Sequence, residues 1–392
     1  MSDIGFAAFD ADNHYYEALD AFTRHADPKM AGRCVQWCDI NGRKYHVVGG
    51  KISHAVSNAT FDPIARPGAL YDYFRGNPEG KTAAEFLKNR ERIPDYYRSP
   101  DARLAIMDQQ GLEKIWLYPT LGVLYEELLK NDIPAVCHTF TAFNRWAADD
   151  WGFAYKNRIY AAPYIAMADV NHAVQELEWA LNLGTTTICM RPAAPTTIHG
   201  HISPFHPYFD PFWARVNEAG ITVIAHCGDS GFYSAGYADD EFDAFEDDKP
   251  SIRTLRIERP AHDFFVSTIF DRLFVRFPNL RFASVENGSS FLPSLFHAIE
   301  SALHKTPAYF RDHDPVETFK RHVWINPFWE DDPQAVIDQM GADRVIFGSD
   351  WPHVEGTEQP LDYARELQGM DEAIVRKVMH DNAEFLNTPQ SA

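Results

Sequence analysis

The chain has 392 residues, of which 45% are hydrophobic and 23% charged, and this composition excludes a wholly disordered protein. It contains 36 lysines and arginines and 56 aspartates and glutamates, which gives a formal net charge of −20 at pH 7. Such a field repels phosphate backbones and anionic lipids. We therefore expect a small-molecule substrate as partner, with no nucleic acid and no membrane.

The sequence also bears on the compartment. No segment approaches the roughly 20 apolar residues that a membrane span needs. The N-terminus, MSDIGFAAFDAD, lacks the basic and apolar blocks of a secretory signal. The five cysteines are an odd number and include no Cys-x-x-Cys pair, so neither a disulfide framework nor a thiolate zinc site is indicated. We expect a soluble, cytoplasmic protein.

Eight short apolar runs, each bounded by polar or turn residues, follow one another along the chain. They cover residues 5–12, 112–119, 160–169, 185–192, 221–227, 280–286, 322–327 and 344–350. Near-continuous apolarity over such lengths is typical of strands in a parallel sheet that is covered on both faces. Amphipathic helical patterns lie between most of them, for example at 171–183, 211–219 and 372–386. This alternation favours a single (β/α)₈ TIM barrel over residues 1–392, rather than an open doubly wound sheet.

Two segments exceed ordinary connections between a strand and a helix. Residues 20–104 form an insertion after the first strand, and Asn41-Gly42 within it predicts a β-hairpin. We interpret the insertion as a subdomain or flap within the barrel. The second segment, 228–260, follows the fifth strand and carries the acidic run 239–248, which we interpret as a solvated lid.

Ionisable residues stand at the ends of four of the predicted strands. Strand one ends with Asp12 and His14 on one side, and strict alternation puts Asp10 there too. The other three strands are the fifth, sixth and eighth, which end at His226, Glu286 and Asp350. Each residue alone has an ordinary alternative, such as a loop end, a core histidine or a helix cap. Because a barrel brings its strand ends to one face, the set together predicts a shared metal site.

Several longer motifs point to a known family. The Asp-x-His opening, PFWARVNEAGITVIAHCG, FPNLRFASVENGSSFLP and FGSDWPH resemble the amidohydrolase-related metal-dependent hydrolases over nearly the whole chain. This branch of the amidohydrolase superfamily includes aminocarboxymuconate-semialdehyde decarboxylase. The resemblance implies that His14, His226 and Asp350 are metal ligands, with Asp12 where family members carry His or Glu. It also implies a homodimer.

The chain departs from the family pattern at two positions. The sixth strand usually ends in His and here ends in Glu286, which leaves open whether this residue binds metal or serves as a general acid or base. The fourth strand ends in Arg191 and offers no lysine to carbamylate, which favours one metal, although Glu286 leaves a second open. Arg191 is either a clamp for a substrate carboxylate or carbonyl, or part of an ion pair inside the barrel.

These interpretations combine into an expected site. We expect one divalent metal, Zn first and Mn or Fe as alternatives, with ligands drawn from Asp12, His14, His226, Asp350 and Glu286. Asp350 would accept a proton from a metal-activated water, and Glu286 or His353 would donate one to the leaving group. Arg191 and Asn326 are the candidate substrate-binding residues.

Three functions remain open from the sequence. The first is a metal-dependent hydrolase that acts on a small carboxylate- or carbonyl-bearing substrate, and we favour it slightly. The second is a non-oxidative decarboxylase of an aromatic or unsaturated acid. The third is a metal-binding barrel without turnover, which the full set of ligand types argues against.

Overall fold

The computed structural model describes residues 4–232, 252–255, 257–328 and 331–390. The acidic run 239–248 therefore lies outside the described residues. The strands are β1 (Ala8–Tyr15), β2 (Val35–Ile40), β3 (Arg43–Val48), β4 (Lys51–Ile52), β5 (Ile64–Ala65), β6 (Arg90–Glu91), β7 (Leu112–Pro119), β8 (Ile159–Ala161), β9 (Thr187–Met190), β10 (Thr196–Thr197), β11 (Gly200–His201), β12 (Thr222–His226), β13 (Arg281–Val285) and β14 (Val323–Ile325).

The helices lie between and after these strands. They are α1 (Tyr71–Phe74), α2 (Ala83–Phe86), α3 (Pro100–Gln110), α4 (Gly122–Leu129), α5 (Ile133–Asp150), α6 (Val170–Asn182), α7 (Asp210–Ala219), α8 (Glu258–Phe270), α9 (Leu273–Arg276), α10 (Leu292–Lys305), α11 (Pro315–His322), α12 (Pro333–Met340), α13 (Glu372–Arg376) and α14 (Asn382–Asn387). A π-helical turn, Lys377–Asp381, joins the last two. Among the described residues, no helix is both long and apolar enough to cross a bilayer.

Parallel pairing carries the sheet around a closed barrel. Strands β1, β7 and β8 pair in that order, and β9, β12, β13 and β14 form a second parallel group. Single parallel bridges complete the ring, from Tyr164 to Cys189, from Ile325 to Val345 and from Asn13 to Trp351. The eighth strand is therefore the segment around 345–351, which pairs at its two ends. The predicted (β/α)₈ TIM barrel is confirmed.

Local chemistry explains where the elements begin and end. Helix α6 begins after Asp169, whose side chain accepts a hydrogen bond from the backbone N–H of His172. Helix α7 ends at Gly220, which has φ +61°, and a Cβ there would lie 1.7 Å from the carbonyl oxygen of Gln390. The third predicted strand is shorter than its apolar run, because Pro163 has no N–H to give to a ladder.

The insertion contains the predicted hairpin. Strands β2 and β3 pair antiparallel around Asn41 and Gly42, whose φ values of +52° and +78° suit a type I′ turn. The insertion also reaches the loop after the eighth strand, since the N–H groups of Gly68 and Leu70 donate to the carbonyls of His353 and Val354. These contacts place this part of the insertion beside the loop that follows the eighth strand at the barrel mouth.

Because a histidine in the hairpin is buried, we expect the stability of the folded protein to depend on pH. His46 lies against the ring of Trp37, and its Nδ1 is 2.8 Å from the hydroxyl of Tyr125. Burial lowers the pKa of His46 to about 4. Because the unfolded chain then binds a proton more readily than the folded one, stability falls as the pH drops below the unfolded pKa near 6.5.

Replacing His46 by glutamine isolates the contribution of this ring to the pH dependence of stability. Between pH 7 and pH 5, the free energy of unfolding of the wild type should fall by about 2 kcal/mol more than that of His46→Gln. Denaturant unfolding of both proteins at the two pH values measures the difference. Parallel pH profiles would mean that His46 is not held neutral in the folded protein.

Candidate metal centre

The ionisable residues predicted from the strand ends meet at the C-terminal mouth of the barrel. β1 supplies Asp12 and His14, β12 ends at His226, and the sixth and eighth strands are followed by Glu286 and Asp350. Their ligand atoms form two overlapping groups, each with all atoms within 4.8 Å of one another: Asp12, His14, His226 and Glu286, and His14, Glu286, Asp350 and His353.

The spacing within the cluster suits ligands of one cation. His14 Nε2 lies 3.3 Å from Asp12 Oδ1, 3.5 Å from Glu286 Oε2 and 3.4 Å from Asp350 Oδ1. His226 Nε2 lies 3.5 Å from Asp12 Oδ1 and 3.3 Å from Glu286 Oε2. Nitrogen and oxygen ligands at about 2.0–2.2 Å from a tetrahedral zinc are about 3.3–3.5 Å apart.

Several of these atoms are buried without a partner. Both carboxylate oxygens of Asp12, Oδ2 of Asp350 and the Nε2 atoms of His14 and His226 have no hydrogen-bond partner among the described residues. A buried polar atom left unsatisfied is costly, and a buried carboxylate is more so. A divalent cation would satisfy the atoms of either overlapping group, so the residues fit a metal.

Backbone contacts orient both imidazoles for this role. His14 Nδ1 lies 3.3 Å from the carbonyl oxygen of Pro119, and His226 Nδ1 lies 2.8 Å from that of Cys227. A carbonyl accepts only, so each Nδ1 carries the proton and donates it. Nε2 is therefore the ring atom that faces the carboxylates and that binds a cation once its proton is displaced, as in metal-binding histidines.

Without a cation, the cluster holds protons instead. Burial acts to lower the pKa of His14, but Asp12 and Glu286 together raise it to about 9. Burial raises the pKa of Asp350 well above its usual value, and the charge of Glu286 adds to the effect. Metal binding must displace such protons, so the affinity for metal should rise with pH.

The two carboxylates that follow strands six and eight sit on unusual backbone. Glu286 has φ +56° and Asp350 has φ +55°, a region that residues with a Cβ adopt infrequently. The N–H of Glu286 donates to Asn326 Oδ1 at 3.3 Å. Such conformations persist where surrounding contacts hold them, and they cluster at functional sites.

Asp350 has a close neighbour in His353. Its Oδ1 lies 2.6 Å from His353 Nδ1, and His353 Nε2 lies 3.0 Å from the hydroxyl of Thr120. That hydroxyl donates to the carbonyl of Tyr15 at 2.8 Å, so it accepts from His353 Nε2. Burial lowers the pKa of His353 well below its usual value, which leaves the lone pair of Nδ1 facing Asp350. The two groups are close enough to exchange a proton.

Arg103 holds the backbone of the cluster, a role that no sequence pattern predicted. Its side chain is fully buried, with Nη2 donating to the carbonyl of His14 and Nε to that of Tyr96, both at 2.7 Å. Nη1 donates to Asn13 Oδ1, and the guanidinium lies 4.8 Å from the ring centre of Trp351. Arg103 therefore ties the end of β1 to the end of the eighth strand.

Asp10 does not join the cluster, which corrects the simple alternation expected along β1. Its oxygens accept hydrogen bonds from the N–H and hydroxyl of Ser349 and from the side chain of Asn13. The pairing of β1 with β7 shifts register between Asp10 and Asn13, and such a shift changes which side chains share a face. Asp10 thus links two strand ends rather than facing the mouth.

The two candidate substrate-binding residues both make polar contacts within the protein. Arg191 is buried, with Nη1 2.8 Å from Glu127 Oε2 and Nε 3.4 Å from Glu126 Oε2, so the structure displays the ion pair. The amide of Asn326 contacts the N–H of Glu286 and the carbonyls of Pro327 and Ile346. A direct role for either residue in substrate binding would require these contacts to break.

Buried ligand atoms without partners at the C-terminal end of a parallel barrel are typical of metal-dependent barrel enzymes. The family model described as Amidohydrolase matches residues 87–386. An amidohydrolase from Mycobacterium avium subsp. paratuberculosis K-10 is 39% identical, with 98% of this chain and 99% of that chain covered and a TM-score of 0.93. The chain belongs to the amidohydrolase family, and it is an enzyme of the amidohydrolase superfamily, as the motifs implied.

More distant solved structures share the fold. The 2,6-dihydroxybenzoate decarboxylase from Rhizobium is 17% identical over 83% of this chain and 96% of that chain, with a TM-score of 0.55. A dihydroxybenzoic acid decarboxylase from Polaromonas sp. JS666, solved with manganese and the inhibitor 2-nitroresorcinol, is 16% identical with the same coverages and a TM-score of 0.54. The comparison with curated proteins gave no match.

Proposed function

We propose that this protein is a metal-dependent hydrolase of a small substrate that bears a carbonyl or carboxylate group. The observation that carries the proposal is the convergence of the buried carboxyl groups of Asp12 and Asp350 on the Nε2 face of the two imidazoles, His14 and His226. Glu286 is 15% exposed, whereas the side chains of Asp12 and Asp350 are shut off from solvent. The cluster therefore opens toward the mouth on the side of Glu286.

The metal is divalent and held by Asp12, His14, His226 and Asp350, with zinc as our first choice. Manganese is the alternative, because the Polaromonas decarboxylase structure, which shares the fold, contains bound manganese. When bound, such a cation lowers the pKa of a coordinated water toward neutrality and polarises a carbonyl oxygen. Glu286 borders the same centre and is free to contact the cation or the substrate.

Proton transfer falls to Asp350 and His353. Asp350 accepts the proton of the attacking water, and the 2.6 Å approach of His353 Nδ1 gives that proton an onward acceptor. Thr120 holds the other ring nitrogen of His353 and fixes the orientation of the ring. His353 can then donate this proton to the leaving group, while Glu286 remains an ionised carboxylate on the exposed side of the centre.

Asp350→Asn tests the assigned base. Asparagine matches the size of the side chain and tolerates the left-handed backbone at φ +55°, so the fold should be kept. We expect kcat to fall by about 10²–10⁴-fold, the usual contribution of a general base. Steady-state kinetics measure the loss, and metal analysis shows whether the cation is retained. Activity within a few-fold of the wild type would exclude Asp350 as the base.

Decarboxylation is the competing reaction, because solved structures of this fold include decarboxylases. Parallel assays of the metal-loaded protein separate the two, with aryl esters, lactones and amides in one panel and hydroxybenzoic acids in the other. Acid release from the first panel supports hydrolysis, and CO₂ release from the second alone would replace our proposal with decarboxylation. Silence in both panels, with metal tightly bound, would favour a barrel without turnover.

A further inference from the structure

The side chains around the proposed metal carry more negative charge than a divalent cation can neutralise. Three carboxyl groups, those of Asp12, Glu286 and Asp350, lie 3.3–3.5 Å from His14 Nε2. The two imidazoles, His14 and His226, would bind a cation as neutral ligands. A divalent cation offsets two of the three negative charges. If Asp350 shares a proton with His353, the sum rises only to zero. Either way, the centre has no spare positive charge for an anion.

Nearby cations are committed elsewhere in the part of the chain that the structure describes. There, the side chains that form ion pairs with the three carboxyl groups are those of histidines. Arg191 pairs with Glu126 and Glu127. Arg98 and Arg103 donate to backbone carbonyls, and Arg103 also donates to the amide of Asn13.

Glu286 is the carboxylate that an incoming molecule meets. Asp12 and Asp350 are 0% and 1% exposed, while Glu286 is 15% exposed and lies 3.3–3.5 Å from both metal-facing imidazole nitrogens. The low dielectric of a buried mouth strengthens repulsion between this group and any anion placed beside the cation. A neutral carbonyl oxygen meets no such penalty, and a cationic group is attracted.

We propose that Glu286 makes the site selective for substrates whose reacting group is neutral or cationic, and against those that present a free carboxylate there. The proposal rests on the proposed metal centre and narrows the substrate from carbonyl- or carboxylate-bearing to carbonyl-bearing molecules. Neutral esters, lactones and amides fit this requirement, as do amidines. A carboxylate on a remote part of the substrate is still compatible.

Three probes of one shape test the preference without any turnover. Acetate, acetamide and acetamidinium share four heavy atoms and differ in charge, and Mn²⁺ in the centre broadens the NMR signal of a nearby probe methyl group. Titration of the manganese-loaded protein gives an affinity for each probe. We expect acetamide and acetamidinium each to bind the wild type more tightly than acetate. Acetate binding as tightly as acetamide, or no specific broadening by any probe, overturns the proposal.

Isosteric variants assign the effect to one residue. Glu286→Gln removes one negative charge at the mouth and should raise the affinity for acetate by at least about tenfold relative to acetamide. Glu218→Gln makes the same change at a position that is 74% exposed, in the last turn of α7 before β12 begins, and should leave the order unchanged. An unchanged order in Glu286→Gln excludes Glu286 as the determinant.

The outcome separates this inference from the proposed function. If acetamide and acetamidinium bind more tightly than acetate but no ester, lactone or amide is hydrolysed, the charge preference is supported and the hydrolase proposal is rejected. If hydrolysis is found while acetate binds more tightly than the other two probes, the hydrolase proposal is supported and the proposed role of Glu286 is rejected.

Discussion

Replacing His226 by alanine should abolish metal binding and, with it, activity. His226 is fully buried at the end of β12, and its Nε2 faces Asp12 and Glu286 with no other hydrogen-bond partner among the described residues. Loss of a direct ligand should exceed the roughly 10–100-fold cost of removing a group that only supports one. Metal analysis of the purified protein and activity assays measure both effects.

Thermal unfolding gives an independent readout of the same variant. Zinc at 100 times its Kd should stabilise the wild type by about 2.7 kcal/mol, whereas His226→Ala should show little or no shift. His25→Ala is the matched control, since His25 is one-third exposed and pairs with Asp149 at the surface. A His226→Ala protein that binds a full equivalent of metal and shows the wild-type shift would refute the centre as described.

Arg103→Met should destabilise the protein by about 3–5 kcal/mol, because methionine fills much of the volume but leaves buried acceptors on His14, Tyr96 and Asn13 without donors. For a chain of this size the fall in Tm should be about 4–6 °C. Metal affinity should also fall by about 10–100-fold, because Arg103 holds the backbone of a ligand. Denaturant unfolding and metal titration measure the two effects separately.

A surface arginine supplies the control for this prediction. Arg24 is 32% exposed and pairs with Asp20 and Asp150, so Arg24→Met should cost no more than about 1 kcal/mol and leave metal binding unchanged. Equal losses in the two variants would show that the buried contacts of Arg103 contribute little. A large loss of stability with unchanged metal affinity would limit Arg103 to a role in folding.

The barrel was predictable because its signal is local and repeated. The run Leu112–Pro119 coincides with β7, and the helix predicted from 211 to 219 differs from α7 by one residue. The predictions were less accurate where pairing depends on distant segments. The eighth strand pairs at Val345 and Trp351 without a continuous ladder, and no local pattern shows that.

The residues of the candidate metal centre were predictable from their type and their place at strand ends, and the structure brings their ligand atoms together. The supporting residues were not, for physical reasons. An arginine in a helix such as Arg103 is ordinarily exposed, and its burial follows from closure of the barrel around it. Thr120 follows β7 directly, and a hydroxyl after an apolar run is a signal that could have suggested it. The left-handed backbone of Glu286 and Asp350 arises from contacts that no local sequence pattern shows.

The contact between the flap and the loop after the eighth strand constrains how new specificities can arise or be engineered. Gly68 has φ +68°, and a Cβ there would lie 2.7 Å from the backbone nitrogen of Glu358. Its N–H also donates to the carbonyl of His353, next to the proposed catalytic residues. Grafting the flap of a relative onto this barrel would therefore succeed only if residues 351–358 are exchanged with it, so that the two segments are inherited as one module.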